Sequence, residues 1–321
     1  MLTHTACLPS NGHADTPLSL ETRTKKSPVC GVCPACGCCA EGENGPARRY
    51  QFSTARGIST WSRCSHCRSY FMLGSYTPDA ETEHTRQMAW GQHDAGTRLN
   101  DFKSDMFQAV LSRISDFGGR PGQSLLDVGC SFGGFLLQAR ERGFDGFGID
   151  IVPEAVAYVR SQGFDAEQCD SLEACSLFSA DHPVDVLSVL DAHIYWPNQQ
   201  RELRAAWKLL KPGGLLVMRA ITKSPFVTAG NLVRPVLPGL SDRLIRRAVT
   251  DHRFCMPLRS LLATIEGCGF YIESASPRGA AHSAESSAAV RALFAAGILS
   301  WHLLRFAIAP GALVVARKRA A

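Results

Sequence analysis

The side chains best suited to chemistry are cysteines, which the sequence concentrates near its N-terminal end. Seven of the 13 cysteines fall in one short stretch: Cys30, Cys33, Cys36, Cys38, Cys39, Cys64 and Cys67. An odd total and this clustering disfavour a disulfide scaffold and favour a metal site in a reducing compartment. The pairs Cys33–Cys36 and Cys64–Cys67 have C-x-x-C spacing, at which two thiolates can bind one side of a tetrahedral Zn²⁺. We therefore expect a site formed by these four cysteines.

The choice of ligands has alternatives within the same stretch. The other candidate ligands are Cys30, Cys38, Cys39 and His66. Unliganded thiols are a second interpretation of the cluster. Pro34 and Gly37 suit a knuckle turn and favour the pair Cys33–Cys36. Because four thiolates leave no open coordination position, the predicted zinc is structural rather than catalytic.

A second chemical feature is a glycine-bearing loop that follows an apolar run. Asp127-Val128-Gly129-Cys130-Ser131-Phe132-Gly133 leads from a predicted strand into a predicted helix. Glycines there let a ligand approach the backbone closely. About 20 residues further on, Asp150 ends the next predicted strand, where a carboxylate can accept hydrogen bonds from ribose hydroxyls. The loop lacks the G-x-G-x-x-G pattern, and the sequence contains no G-x-x-x-x-G-K-[ST] motif, which excludes a P-loop nucleotidase.

Strand-like and helix-like segments alternate from residue 123 onward, which predicts an α/β fold with a doubly wound, Rossmann-like sheet. The predicted strands are 124–128, 146–149, 184–190, 215–219, 270–274 and 311–317. The predicted helices are 98–117, 134–142, 153–162, 199–210 and 258–267. This order places the glycine loop and Asp150 together at the carboxyl edge of the sheet.

Four regions follow along the chain. They are a polar, disordered lead-in (1–29), a zinc-ribbon-like module (30–75), a helical connector (76–120) and the α/β domain (121–321). The aromatic and β-prone residues 49–61 are expected to form the ribbon between the two cysteine pairs. Apolar residues along 288–309 predict a helix that packs on the core or on a dimer partner, or that covers substrate or touches a membrane.

The glycine loop resembles motif I of class I S-adenosylmethionine-dependent methyltransferases, commonly D-x-G-x-G-x-G. Ser131 stands where the middle glycine of that motif usually lies. The resemblance covers roughly residues 123–220 and implies S-adenosyl-L-methionine as the cofactor. The cofactor-binding residues that it implies are Asp127, Gly129, Ser131, Gly133, Asp150 and Asp170. In the family, the acid matched by Asp150 binds ribose, and the acid matched by Asp170 lies near the adenine amine.

The cysteine pairs before this core resemble a subset of bacterial methyltransferases that carry an N-terminal four-cysteine zinc module. Sugar and natural-product methyltransferases belong to that subset. The resemblance matches His193 and His252, whereas Ala192 and Arg68 replace a family acid and a family glycine. We expect His193, at the tip of the fourth strand of the predicted core, to act as a base, since an imidazole titrates near neutral pH. His252 is a second candidate catalytic residue. Tyr195 is the third, and could orient the substrate.

The amino-acid composition limits the classes of function that this sequence can have. The net charge of +5 is milder than in a dedicated nucleic-acid binder, and the hydrophobic fraction of 45% argues against wholesale disorder. The sequence has no secretory signal and no continuous apolar run of about 20 residues, so a cytoplasmic protein is expected.

The leading functional prediction is S-adenosylmethionine-dependent methyl transfer to a small molecule: a sugar, a lipid or polysaccharide precursor, or a secondary metabolite. Basic residues in the arm 21–68 leave open an RNA-modifying methyltransferase whose zinc module binds RNA, although no N-P-P-[YF] motif follows the fourth strand. Ser131 and Ala192 leave open a non-catalytic cofactor-binding protein.

Overall fold

The computed structural model describes residues 32–38, 49–54, 57–74, 77–87, 101–249, 253–276, 292, 295–296, 299–301, 303 and 311–319. Several expectations lie outside these residues. They concern the lead-in 1–29, most of the helix predicted over 288–309, His252, Cys30 and Cys39.

A seven-stranded sheet forms the centre of the α/β region. Its strands are β4 (Ser124–Val128), β5 (Asp145–Asp150), β6 (Asp165–Gln168), β7 (Val184–Leu190), β8 (Leu210–Ile221), β10 (Phe270–Ser276) and β11 (Gly311–Lys318). The spatial order is β10-β11-β8-β7-β4-β5-β6; the pairs among β4–β8 are parallel, and β11 is antiparallel to both β8 and β10. Chain order reverses at β4, so a crevice for a ligand opens beyond its carboxyl end, between β5 and β7.

Helices cover both faces of this sheet. They are α2 (Asp101–Asp116), α3 (Gly134–Glu141), α4 (Pro153–Ser161), α5 (Gln199–Leu209) and α8 (Leu258–Gly267). Pro153 occupies the first turn of α4, where its missing N–H costs nothing, and the Asn198 side chain caps α5 by accepting the Arg201 N–H at 3.0 Å. Apart from β6, these helices and strands match the predicted elements to within a few residues, although β8 begins five residues before its prediction. The predicted α/β fold is confirmed.

Several elements of the described chain were not predicted. Among them are the strand β6, the helix α1 (Pro78–Thr85), and the paired helices α6 (Ser224–Val233) and α7 (Pro238–Val249). The segment Asp165–Gln168 lacks the apolar run that marked the other strands, because it forms the sheet edge and only Ala166 is buried.

A second, four-stranded antiparallel sheet contains the predicted ribbon. It consists of β1 (Arg49–Thr54), β2 (Gly57–Arg63), β3 (Tyr70–Met72) and β9 (Phe254–Cys255), in that order. The last strand comes from a distant part of the chain and pairs with β3 through Tyr70–Cys255 and Phe71–Phe254. The small sheet is therefore completed by the region that carries the large one.

The cysteine-bearing segments also pack directly on the α/β core. The Gln199 N–H at the start of α5 donates to the Pro34 carbonyl at 2.7 Å, and the Ser260 hydroxyl of α8 donates to the Cys67 carbonyl at 2.7 Å. Cys33, Cys36, Cys64 and Cys67 are buried in the same apolar cluster as core residues of β7 and β8. No helix among the described residues is long and apolar enough to cross a membrane.

Candidate functional site

The loop between β4 and α3 turns through three left-handed residues. Gly129, Ser131 and Gly133 have φ angles of 76°, 49° and 71°. A Cβ atom at Gly129 would lie 2.7 Å from the Ala192 Cβ, so the loop passes against the end of β7 at a distance that only glycine allows. Ser131 adopts the same left-handed region with a side chain, which costs about 1 kcal/mol. This is the physical reason that a glycine is usual at this position.

Asp150 closes this loop from the end of β5. Its Oδ2 accepts the Ser131 N–H at 2.9 Å, and its Oδ1 accepts the Val152 N–H at 2.9 Å. Burial raises the pKa of the Asp150 carboxyl, and the backbone N–H donors oppose that shift. Each carboxylate oxygen can accept more than one hydrogen bond, so both remain able to accept from a ligand's hydroxyls.

Asp127 lies beneath the loop, 3% exposed. Its Oδ1 accepts the Ser188 hydroxyl at 2.7 Å. Burial raises the pKa of the Asp127 carboxyl from 3.8 to about 7, against the lowering effect of Ser188. Asp127 does not line the cavity described below. Asp127 therefore supports the loop indirectly, through its hydrogen bond to Ser188 of the neighbouring strand β7.

This shifted group predicts how stability depends on pH. The folded protein retains the Asp127 proton up to about pH 7, whereas the unfolded chain releases it near 3.8. Stability contributed by this group therefore falls as the pH rises between these values, by about 1.4 kcal/mol per unit at most. In Asp127→Asn this contribution is absent. Urea unfolding of both proteins should be measured at several pH values. We expect the free energy of unfolding of the variant to rise relative to that of the native protein as the pH increases, and an equal pH dependence of the two would contradict the assignment.

A cavity of about 320 Å³ opens beyond the carboxyl ends of β4, β5 and β7. Of the residues predicted from the sequence, its lining includes Gly129, Ser131, Asp150, Asp170 and Tyr195. Gly133, Asp127 and His193 lie outside the lining. Sequence reasoning missed further charged residues of this site, two of which, Glu81 and Asp191, line the cavity.

The side chain of His193 is fully buried beside the cavity. Its Nε2 accepts the Ile221 N–H at 3.3 Å, which places the ring proton on Nδ1, 3.4 Å from Gln199 Oε1. The ring also packs edge-on against Phe254 and Trp196. Because both ring nitrogens bond to protein atoms, this geometry does not support the expectation that His193 is a base, and favours a role in positioning the end of β7.

Asp191, the first residue after β7, has a left-handed backbone (φ 65°) and forms an ion pair with Arg219 of β8. Burial lowers the pKa of the Arg219 guanidinium to about 10, so it stays charged at neutral pH. The pair places one carboxylate in the cavity wall with its counter-ion on the adjacent strand. The sequence feature that could have indicated Asp191 is an acidic residue directly after an apolar strand.

The third missed residue is Arg253, which pairs with Glu81 of α1. Arg253 Nη1 lies 3.0 Å from Glu81 Oε2, and the two side chains are 9% and 3% exposed. The Arg253 N–H donates to the Ile194 carbonyl, and its own carbonyl accepts the Met72 N–H. One residue thus joins α1, the cavity wall and the small sheet.

The four predicted zinc ligands converge. Cys33 Sγ lies 3.7 Å from Cys67 Sγ, Cys36 Sγ lies 3.6 Å from Cys64 Sγ, and all four sulfurs lie within 4.8 Å of one another. A tetrahedron of Zn–S bonds of about 2.3 Å places its sulfurs about 3.8 Å apart. The arrangement therefore fits the donor set and the dimensions of a four-thiolate zinc site.

Matching turns hold both cysteine pairs. The Gly37 N–H donates to the Cys33 carbonyl at 2.8 Å, and the Arg68 N–H donates to the Cys64 carbonyl at 3.1 Å. Gly37 and Arg68 have φ angles of 72° and 63°. Arg68 thus occupies a left-handed position that favours glycine, which explains the glycine usual in the resembling proteins. Cys38, although close in sequence, is not one of the four converging residues.

Comparison with known proteins identifies the family. A family model described as a methyltransferase domain matches residues 102–275, more than half of the chain. The chain belongs to this methyltransferase family. The match confirms the resemblance carried by the glycine loop, and it favours an enzyme over a non-catalytic binding protein.

The individual proteins that resemble this chain match only part of it. A ubiquinone biosynthesis O-methyltransferase of Xanthomonas campestris is 32% identical over 110 residues, 33% of this chain and 46% of that protein. The protein of the same name from Xylella fastidiosa is 26% identical over 192 residues, 58% of this chain and 75% of that protein. The chain thus spans less than half the length of the first of these relatives. A solved S-adenosylmethionine-dependent methyltransferase of Mesorhizobium loti is 21% identical, with 65% of this chain and 97% of that chain covered and a TM-score of 0.43.

Proposed function

We propose that this methyltransferase binds S-adenosyl-L-methionine in the cavity beyond β4 and β5 and methylates a small-molecule acceptor there. The observation that carries the proposal is the lining of that cavity. The glycine loop, Asp150 and Asp170 meet in it, in a chain whose family is established. A cavity of about 320 Å³ is in the range of small-molecule sites.

The residues present fit this cofactor. The loop at Gly129 exposes backbone to the cavity, Asp150 offers acceptors for two ribose hydroxyls, and Asp170 offers one for an adenine amine. Bound there, the cofactor would supply an electrophilic methyl group on a positively charged sulfur. Four acidic residues line the cavity, two of them paired with arginines, and this excess of acidic residues favours a cation.

The acceptor side of the cavity is formed by the segment after β7. Ala192, Ile194, Tyr195 and Trp196 line it, and the Asp191–Arg219 ion pair fixes the start of this segment. Tyr195 is the residue that we assign to orienting the acceptor, since it lines the cavity. A mostly apolar wall with few polar groups suits a small organic molecule better than a nucleic-acid strand.

His193→Ala should reduce stability while leaving the pH dependence of turnover unchanged. The substitution leaves the part-buried Ile221 N–H without its acceptor and removes a fully buried ring, which together cost about 2–4 kcal/mol. Thermal unfolding measures the first effect, and a profile of kcat against pH measures the second.

His193→Gln is the matched variant, because a glutamine amide oxygen can accept in place of Nε2. We expect it to recover much of the lost stability. If either variant loses the acidic limb of the pH profile with stability intact, His193 is a base and the positioning role is wrong.

The acceptor class is tested by supplying S-adenosylmethionine with a deuterated methyl group to the enzyme with two separate acceptor pools. One pool is an ultrafiltered small-molecule extract, and the other is total RNA from the same cells. We expect S-adenosylhomocysteine and labelled product only with the first pool. Label in RNA alone would support the RNA alternative. Of the basic arm residues behind that alternative, Arg63 and Arg68 have described side chains, and Arg63 packs over the Tyr70 ring.

We also propose that Cys33, Cys36, Cys64 and Cys67 hold one structural Zn²⁺. The sulfur spacing supports this assignment, and four protein ligands leave no position for substrate or water. The zinc would join the two chain segments that carry the cysteine pairs. These segments are hydrogen-bonded to the first turns of α5 and α8, through Pro34 and Ser260.

A further inference from the structure

The helices α6 and α7 form a hairpin with an exposed apolar tip. Four large apolar side chains between positions 232 and 240 are 45–80% exposed: Leu232, Val236, Leu237 and Leu240. Every residue from 234 to 240 is exposed. Isolated exposed apolar residues need no explanation, but a contiguous group on a projecting turn indicates an interaction surface.

The tip is an ordered structure on a packed base. The N–H groups of Val236 and Leu237 both donate to the Val233 carbonyl, at 3.1 and 2.8 Å. The helices approach closely at Gly230, where a Cβ atom would lie 2.6 Å from Ile245 Cγ1. At the base, Val227 and residues of α7 join Tyr50, Trp61 and Tyr70 of the small sheet in one buried cluster. The apolar tip is thus presented without a covering element among the described residues.

The hairpin is also strongly basic. Residues 223–249 contain five basic residues, Lys223, Arg234, Arg243, Arg246 and Arg247, against the single acid Asp242, a net charge of +4. The side chains of Arg234 and Arg243 are exposed beside the apolar tip. Apolar side chains flanked by arginines are the combination that binds an anionic bilayer, since the first enter the acyl boundary and the second meet lipid phosphates.

We infer that the α6–α7 hairpin docks on the surface of an anionic phospholipid membrane. The charge of the hairpin favours a membrane over a second copy of the chain as the binding partner. An isologous dimer through the tip would bring together two copies of a segment whose sequence carries a net charge of +4, whereas an anionic bilayer complements both the charge and the apolar residues. The hairpin follows Ile221, a residue of the cavity wall, by three positions. Docking would therefore hold the cavity close to the bilayer.

The test is sedimentation of the full-length protein with vesicles. One set contains phosphatidylglycerol mixed with phosphatidylcholine, and the other contains phosphatidylcholine alone. We expect binding to the anionic set that weakens as salt is raised, and at least about tenfold weaker binding to the neutral set.

Leu237→Glu should reduce binding to anionic vesicles by at least about tenfold, because it places a carboxylate at the tip. The matched control is Tyr271→Glu, at another exposed apolar residue (56% exposed, on β10), which should bind like the native protein. Unchanged thermal unfolding of both variants shows that they fold. Equal binding of native protein and Leu237→Glu, or no binding to anionic vesicles, would overturn the inference. A native dimer that Leu237→Glu dissociates, without vesicle binding, would assign the surface to a second copy instead.

Discussion

Replacing Cys64 with serine is expected to remove the bound zinc and to destabilise the small sheet. The Cys64 side chain is fully buried and lies 3.6 Å from Cys36 Sγ, so its loss leaves an incomplete set of buried thiolates. Structural zinc sites contribute folding free energy directly, and we expect a loss of at least several kcal/mol. Metal analysis should fall from about one zinc per chain to near zero, and urea unfolding should report the destabilisation.

The effect of Cys64→Ser should also reach the cavity. The strand β3 pairs with β9, and Arg253 beside β9 holds Glu81 in the cavity wall by a buried ion pair. Disorder of the small sheet would release this pair, so we expect weaker S-adenosylmethionine binding as well. Zinc loss with unchanged cofactor affinity would separate the two sites and contradict this connection.

Cys38→Ser is the matched control. Cys38 lies in the same segment as Cys33 and Cys36 but outside the converging set. The variant should keep its zinc and its stability, because the backbone carbonyl of Cys38, which accepts the Cys33 N–H, is unaffected. Loss of zinc from Cys38→Ser, with retention in Cys64→Ser, would show that the ligand set is wrong.

Asp150→Ala should weaken S-adenosylmethionine binding by about 100-fold or more. The carboxylate accepts two backbone N–H groups that fix the loop, and it is the proposed acceptor for ribose. Hydrogen bonds to a charged group contribute about 1.5–3 kcal/mol each, so losing several exceeds a factor of 100. Isothermal titration calorimetry measures the affinity directly.

Asp165→Ala provides the comparison for that measurement. Asp165 is an exposed acid at the start of the neighbouring strand β6 and does not line the cavity. Its removal should leave the affinity within about twofold of the native value, since it contacts no cofactor-binding group. If Asp150→Ala binds as tightly as Asp165→Ala, the cofactor does not lie on Asp150.

Much of this structure could be predicted from local sequence patterns. The strands β4 and β7 are buried apolar runs, and the order of β4, the glycine loop, α3 and β5 along the chain predicts that the loop lies beside Asp150. The C-x-x-C spacing likewise identified four cysteines that the fold brings together. In both cases the residues that act together are close in sequence or follow elements with a strong hydrophobic pattern.

Features that depend on distant pairing could not be predicted in this way. Glu81 and Arg253 are separated by 172 positions, so no local spacing connects them. His193 follows a strand as expected, but only packing shows that its ring is buried and bonded at both nitrogens. Strand β9 is two residues long and exists because β3 offers it an edge. Burial and long-range partners, rather than residue types, decide these roles.

A crystal structure of the protein with S-adenosylhomocysteine would test the proposed cofactor site directly. We expect the adenosyl group in the cavity beyond β4 and β5, with its ribose hydroxyls on the Asp150 carboxylate and its adenine beside Asp170. Density for the cofactor elsewhere, or an adenosyl group that leaves Asp150 uncontacted, would contradict this expectation.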